Sequence, residues 1–280
     1  MNDEQLKELY QGNPKYSKEL DPKEPDYRRL LIETLEWKIP HLMAVVPPFY
    51  KPKKVAEIGC FCGHLIGNIT INGINDFIRL GYEINSKAVK VGQGLYPEVF
   101  FSEENIFESH PQLDLIILSD IVEHIEDDLN FLQQCSAISN FVLLNLPLEK
   151  AYLHRNRKYG YKDPSGHLRA YNLSKAFNLI SSSNFSMMNW HTQCVVKDPV
   201  YSKLKLLRCR ESNKKNTFKT QLKKRVLLSL SQIPGFAERY YGTNLFAFLK
   251  SNSLKKDDNY SEQSLNHPSY YSFTAQRHDL

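Results

Sequence analysis

Three observations predict an α/β chain built on a doubly wound, mostly parallel sheet with helices on both faces. In Lys53–Ile66 (KKVAEIGCFCGHLI), a short apolar run meets Gly59 and Gly63 before a helical pattern begins. From there, apolar runs alternate with helical patterns as far as Leu245–Leu249, giving seven strands, and such alternation builds a parallel sheet. Glu83 ends the second run, 20 residues beyond Gly63, where an acid commonly meets ribose hydroxyls.

Taken in order, residues 1–44 form an arm and a covering helix. The arm is polar and broken by Pro14, Pro22 and Pro25. Leu30, Leu31, Leu35 and Ile39 then recur at helical spacing over Tyr27–Met43, ahead of Pro47-Pro48. Strand one is Val55–Ile58, where Glu57 is unusual among apolar neighbours, and a helix follows over His64–Ile71. Strand two is Phe77–Glu83, with Ser86 as the cap of a helix over Lys87–Gly92. Strand three lies near Val99–Phe101, and strand four is Asp114–Ser119, the most apolar of the set. A helix carrying Leu129 and Leu132 leads to strand five, Asn140–Leu146, which Pro147 stops. Past a polar loop to Tyr171 come a helix from Ser174, a strand within Phe185–Val196, a basic insertion at about 203–235 and the last strand. The main domain spans 45–250, and 251–280 reads as a flexible tail.

Composition narrows the function classes. With 41% hydrophobic residues there is ample core for one large domain, and no apolar run reaches the roughly 18 residues of a membrane span. The polar start MNDEQLKELYQ does not resemble a secretory signal, and five scattered cysteines fit a reduced compartment, so a cytoplasmic protein is expected. Cys60 and Cys62 lack a second pair at zinc-finger spacing. The net charge of +5 belongs to one segment: Lys203–Arg225 holds ten Lys/Arg and a single acid, Glu211.

The motifs EIGCFCG, GYEIN and DLIILSDIVEHIEDD, in that order, resemble those of the class I S-adenosylmethionine-dependent methyltransferases. The likeness is strongest to the small-molecule group with a D-x-x-E-H turn after strand four, and it weakens beyond Pro147. It implies a Rossmann-like, doubly wound, mostly parallel seven-stranded sheet that binds S-adenosylmethionine and releases S-adenosylhomocysteine. By similarity, Glu57, Gly59, Cys60 and Gly63 hold the methionine end of the cofactor and Glu83 with Ile84 the ribose. Asn105 with Ile106 stands at the adenine, although Asn105 serves almost equally as an Asx turn. Ser119 and Asp120 lie at the strand-four edge, and His124 either caps the site or braces the turn. Phe61 departs from the pattern, since it replaces the second glycine of the loop. A nicotinamide oxidoreductase would need G-x-G-x-x-G directly after the strand, and the middle glycine is missing.

The acceptor is read from the loop Leu146–Tyr171. Its tract GHLRAY resembles a loop of the same group and makes His167 the first candidate general base, with His154 second; each is otherwise a hydrogen-bonded loop residue. Arg155, Tyr159, Tyr161 and Arg169 are expected to grip the acceptor, and the loop's positive charges suggest a phosphate or carboxylate on it, unless they are simply solvated. Asp120, Glu123, Asp127 and Asp128 suggest magnesium, but an acidic turn at a helix N-terminus needs no ion, and no metal is expected. Phe218, Leu222, Val226, Leu230 and Ile233, interleaved with lysines, form an amphipathic basic helix over 218–233. That helix packs on the core or makes peripheral membrane contact; nucleic acid is a weaker partner. The function expected is O-methylation of a small anionic or sugar-containing metabolite. The alternatives are N-methylation of a small amine, RNA methylation, and cofactor binding or scaffolding without catalysis.

Overall fold

The computed structural model describes residues 14–161, 163, 165–211, 229–230, 233 and 235–253. Seven strands form one sheet in the order β3-β2-β1-β4-β5-β7-β6. They are β1 Lys54–Ile58, β2 Ile78–Tyr82, β3 Val99–Ser102, β4 Leu113–Ser119, β5 Ser139–Leu148, β6 Phe185–Gln193 and β7 Thr243–Ser251. The first five strands pair in parallel, and β7 runs antiparallel between β5 and β6. The doubly wound sheet is therefore mostly parallel, as the alternation of apolar runs predicts.

Period-2 alternation assigns each strand residue to one of two cores. Leu115, Ile117, Phe141, Leu143, Phe246 and Phe248 face one side, where they pack with Trp37, Leu42, Leu65 and Ile66. Ile116, Leu118, Val142, Leu144, Leu245 and Ala247 face the other, against Leu132, Cys135, Ala176 and Ile180. Because both faces of β4 are covered, its stretch Leu115–Leu118 is apolar without interruption. Asp114 fixes its starting register: one carboxylate oxygen accepts the backbone N–H groups of Lys53 (2.7 Å) and Lys54 (2.9 Å).

Three local expectations are corrected. Asn85, not Ser86, caps the helix Ser86–Leu95, accepting N–H bonds from Lys87 and Ala88. Its amide oxygen reaches forward two and three residues, as Ser86, already the first helical residue, cannot. Pro147 does not stop β5 but pairs with Asn244 of β7. β4 ends opposite Asn145, so beyond it β5 has a partner on one side only and tolerates proline. The covering helix contains a π-turn, Thr34–Lys38, between Pro25–Glu33 and Ile39–Met43. Ile39 N–H donates to the Thr34 carbonyl, which widens the turn just before Pro40, a residue that has no N–H to offer.

The basic helix expected at 218–233 lies almost wholly outside the described residues, as does the tail beyond 253. Among the described residues, no helix is long and apolar enough to cross a membrane.

Candidate active site

A cavity of about 970 Å³ opens where β1, β2, β4 and β5 end, the crevice at which doubly wound sheets bind ligands. The turn after β1 forms its floor. Gly59 has φ +70°, a conformation that favours glycine, and a β-carbon there would lie 2.8 Å from Ile121 Cδ1, so a larger residue would also have to displace that side-chain tip. Gly63 (φ +78°) has a different task from the one expected. It does not line the cavity; a β-carbon would lie 2.5 Å from the ring of Phe101, so the glycine makes room for packing behind the turn. Phe61 takes φ +50°, the left-handed conformation that a glycine would supply at lower cost. The turn thus keeps a glycine-like backbone despite the substitution.

Two carboxylates are fixed by this turn. Glu57 is buried in β1 and accepts the Ile66 N–H at 3.0 Å; burial pushes its pKa up to about 8, with Glu83 and Asp120 adding to the effect and Lys38 opposing it. Glu83 follows β2 and accepts from Phe61 N–H (2.9 Å) through one oxygen and Asn85 N–H (2.8 Å) through the other. Burial still raises its pKa against those bonds. Both line the cavity with Cys60, Ile84, Asn105, Ile106, Ser119, Asp120 and His124. Asn105 caps the short helix Ile106–Ser109 through Oδ1, which accepts the Phe107 N–H, so its amide nitrogen is the group left to meet a ligand.

Sequence reasoning missed Lys38. It reaches from the π-turn across the cavity to Asp120, Nζ to Oδ2 at 2.6 Å, and only the fold brings together residues 82 positions apart. Burial works against its charge, but Asp120 and Glu33 outweigh that and raise the pKa above the usual lysine value. Asp120 itself sits at φ +55° and also accepts from Asn145 Nδ2 at 3.2 Å.

The acidic turn after β4 does not act as one unit. Asp127 caps the helix Asp128–Ile138 through the Asn130 N–H, and Asp128 pairs with Arg169 and Tyr171. Glu123 points elsewhere. It is 1% exposed, with its Oε1 3.8 Å from His124 Nε2 and 4.0 Å from His167 Nε2. The His124 and His167 rings meet edge to face at 4.7 Å. Leu168 N–H donates to the Glu123 carbonyl at 2.9 Å, which ties the loop to the turn. Behind His167 stands Glu149, also missed from sequence, with Oε2 2.7 Å from Nδ1 and Oε1 2.6 Å from Arg157. Burial would raise the Glu149 pKa, but His167 and Arg157 hold it below the usual value. An ionised Glu149 only accepts, so His167 Nδ1 carries a proton, and in the neutral ring the lone pair then belongs to Nε2.

His154, ending the turn Tyr152–His154, lines the same end of the cavity. The four expected acceptor-gripping residues do not line it. Arg155 lies over Tyr152 at 3.8 Å, and the Tyr159 ring stacks under Arg157 at 4.9 Å. Tyr161 donates to Glu126, and Arg169 is taken by Asp128. Arg157 is likewise consumed by Glu149 and Asp163. Arg155, Arg157 and Arg169, which read in sequence as an anion grip, are thus engaged within the loop or with the acidic turn after β4.

No family model matches the sequence, and no curated protein matches it. Solved structures do. The cyclopropane synthase MmaA2 of Mycobacterium tuberculosis superposes with a TM-score of 0.56 at 14% identity, covering 89% of this chain and 99% of that one. Magnesium protoporphyrin IX methyltransferase (ChlM) of Synechocystis PCC 6803 gives 0.52 at 13%, covering 90% and 98%. The plantazolicin methyltransferase BamL gives 0.51 at 13%, covering 89% and 96%. At these identities the likeness speaks for architecture, and the architecture of this chain is that of the class I S-adenosylmethionine-dependent methyltransferases.

Proposed function

We propose that the protein is an S-adenosylmethionine-dependent methyltransferase that acts on a hydroxyl of a small, sugar-like acceptor. The observation that carries the cofactor assignment is Glu83. Its two oxygens are each anchored by a backbone N–H and each retain lone pairs for a pair of vicinal hydroxyls at the cavity wall. The solved ChlM and BamL structures contain S-adenosylmethionine and S-adenosylhomocysteine respectively, which supports the same occupant here. The residues present fit that molecule: the Gly59 turn admits close backbone approach, and the buried acid Glu57 stands beside it. When bound, S-adenosylmethionine supplies an electrophilic methyl group on a sulfonium.

The remaining steps belong to this chain. A hydroxyl must lose its proton as it attacks, whereas a neutral amine need not, and the Glu149–His167 pair favours the hydroxyl. Glu149 holds the imidazole in the tautomer whose Nε2 accepts a proton from a hydroxyl lodged between His167 and His154. Because Arg157 and Arg169 are engaged with acids and Arg155 lies against Tyr152, a neutral polyhydroxylated acceptor suits the cavity better than an anionic one. The methyltransferase unit is assigned to 45–250, with Trp37 and Lys38 of the preceding helix closing the cavity.

The test is calorimetric titration with S-adenosylhomocysteine beside NAD, followed by methyl transfer to a panel of hydroxylated and amine acceptors. Micromolar binding of S-adenosylhomocysteine alone, with transfer to hydroxyl oxygen, is expected. Binding of NAD instead, or transfer only to amines, would refute the cofactor or the acceptor assignment respectively.

A further inference from the structure

Glu123 is a buried carboxylate that the fold does not explain. Neither of its oxygens is hydrogen-bonded to another residue, although the side chain is 1% exposed, and buried acids are ordinarily satisfied. His124 Nε2 and His167 Nε2 stand 3.8 and 4.0 Å from its Oε1. Both are too distant to be hydrogen bonds. They are close to the separation of two atoms that share an ion, about 3.4 Å for tetrahedral ligands at zinc-like bond lengths. Asp120, the next acid, is already engaged by Lys38 at 2.6 Å.

We propose that Glu123, His124 and His167 bind a divalent cation of the first transition series, whose remaining coordination positions face the cavity. All three donor atoms lie within 4.8 Å of one another, so small side-chain rotations close the site around an ion. One carboxylate with two imidazoles suits such ions and leaves positions open for ligands. The surroundings fit a metal centre in a second way. Glu149 accepts the His167 Nδ1 proton at 2.7 Å and is itself held by Arg157 at 2.6 Å, the carboxylate–histidine support that orients a ligating imidazole. An ion would also supply the positive charge that this buried carboxylate lacks.

The inference rests on the O-methylation reading and changes one step of it. With the ion bound, His167 is a ligand, and the acceptor hydroxyl coordinates beside it. The hydroxyl loses its proton to a cavity water because coordination makes it more acidic. The O–H electron pair stays on oxygen and forms the new bond to the methyl carbon, while the pair of the broken carbon–sulfur bond returns to sulfur.

The experiment titrates the tag-free, chelator-treated full chain with cobalt(II), manganese(II) and zinc(II). Stoichiometry is read by metal analysis and cobalt ligation by visible absorption, with S-adenosylhomocysteine binding measured on each sample. One ion per chain is expected. Affinity should fall at least tenfold in Glu123→Gln and His167→Ala, and 10- to 100-fold in Glu149→Gln, where only the supporting carboxylate changes. S-adenosylhomocysteine should still bind each variant, which shows that the cavity is folded. Absence of ion binding in wild type that binds S-adenosylhomocysteine would overturn the cation site and leave the methyltransferase reading intact. Affinity unchanged in Glu123→Gln would overturn it as well. An ion bound without S-adenosylhomocysteine would uphold the site and refute the cofactor instead.

Discussion

Replacing Glu57 by glutamine should stabilise the protein at pH 8 and do much less at pH 5. Burial raises the Glu57 pKa from 4.5 to about 8, so the folded chain binds this proton more tightly than the unfolded chain does. A carboxyl raised in the folded state adds stability below its unfolded pKa, and that stability is lost as pH rises through the folded pKa. The affected window is therefore about pH 4.5 to 8. At pH 8 the ionisable group costs on the order of 4 kcal/mol relative to a neutral isostere, and at pH 5 about 1 kcal/mol. The difference, on the order of 3 kcal/mol, is large against a typical total of about 5–15 kcal/mol. Glutamine is nearly isosteric and its carbonyl can still accept the Ile66 N–H, so little else changes. Urea denaturation of both proteins at pH 5 and pH 8 provides the measurement. Subtracting wild type from variant at each pH removes the contributions of Glu83, Glu123 and the buried histidines. An equal effect at both pH values would show that Glu57 is ionised in the fold at little cost and that the reasoning fails.

Other perturbations test the remaining parts of the cavity. Asp120→Asn keeps a residue tolerant of φ +55° but removes the close partner of half-buried Lys38; a loss of about 1–3 kcal/mol is expected in thermal or urea unfolding, and an unchanged midpoint would deny the pair its structural role. Glu83→Ala should weaken S-adenosylhomocysteine binding by roughly 1–3 kcal/mol, and full affinity in calorimetry would end the ribose assignment. Gly67→Ala should cost about 1–3 kcal/mol. Its β-carbon would fall 2.3 Å from the Tyr96 ring, which His64 (2.8 Å) and Asn68 (2.9 Å) hold in place, so a neutral substitution would mean the ring moves freely.

The sheet and the end of the cavity around the glycine turn were legible in sequence because they depend on short-range signals. Apolar runs give strands, and the glycine turn and the acid after β2 fall at fixed offsets from strand ends, so Glu57, Gly59, Glu83 and Asn105, named from those offsets and from resemblance, all line the cavity. The end around His167 depends on contacts across long stretches of chain. His167 was visible as a candidate, but Glu149 behind it and Glu123 before it stand 18 and 44 residues away. The arginines of the same loop were misread for a related reason. A sequence shows a cation but not the acid folded against it, and Arg157 and Arg169 had buried or half-buried partners waiting.

The expensive features of this fold are concentrated at one cavity. Phe61 and Asp120 hold left-handed backbone, Glu57 and Glu123 are buried acids, and Lys38 is a half-buried cation. Each costs stability in isolation, and the two cores supply no compensation that requires them there. Packing alone would favour an apolar residue at Glu57, as at its β1 neighbours Val55 and Ala56, and a glycine at Phe61. What these groups share is access to the same cavity, so a ligand that engages them would recover part of the cost on binding. Stability and affinity should therefore be coupled: neutralising Glu57 or Glu123 makes the empty protein firmer and the liganded one less so. A destabilising group that a ligand satisfies is how a binding site differs, in energy, from an error of packing.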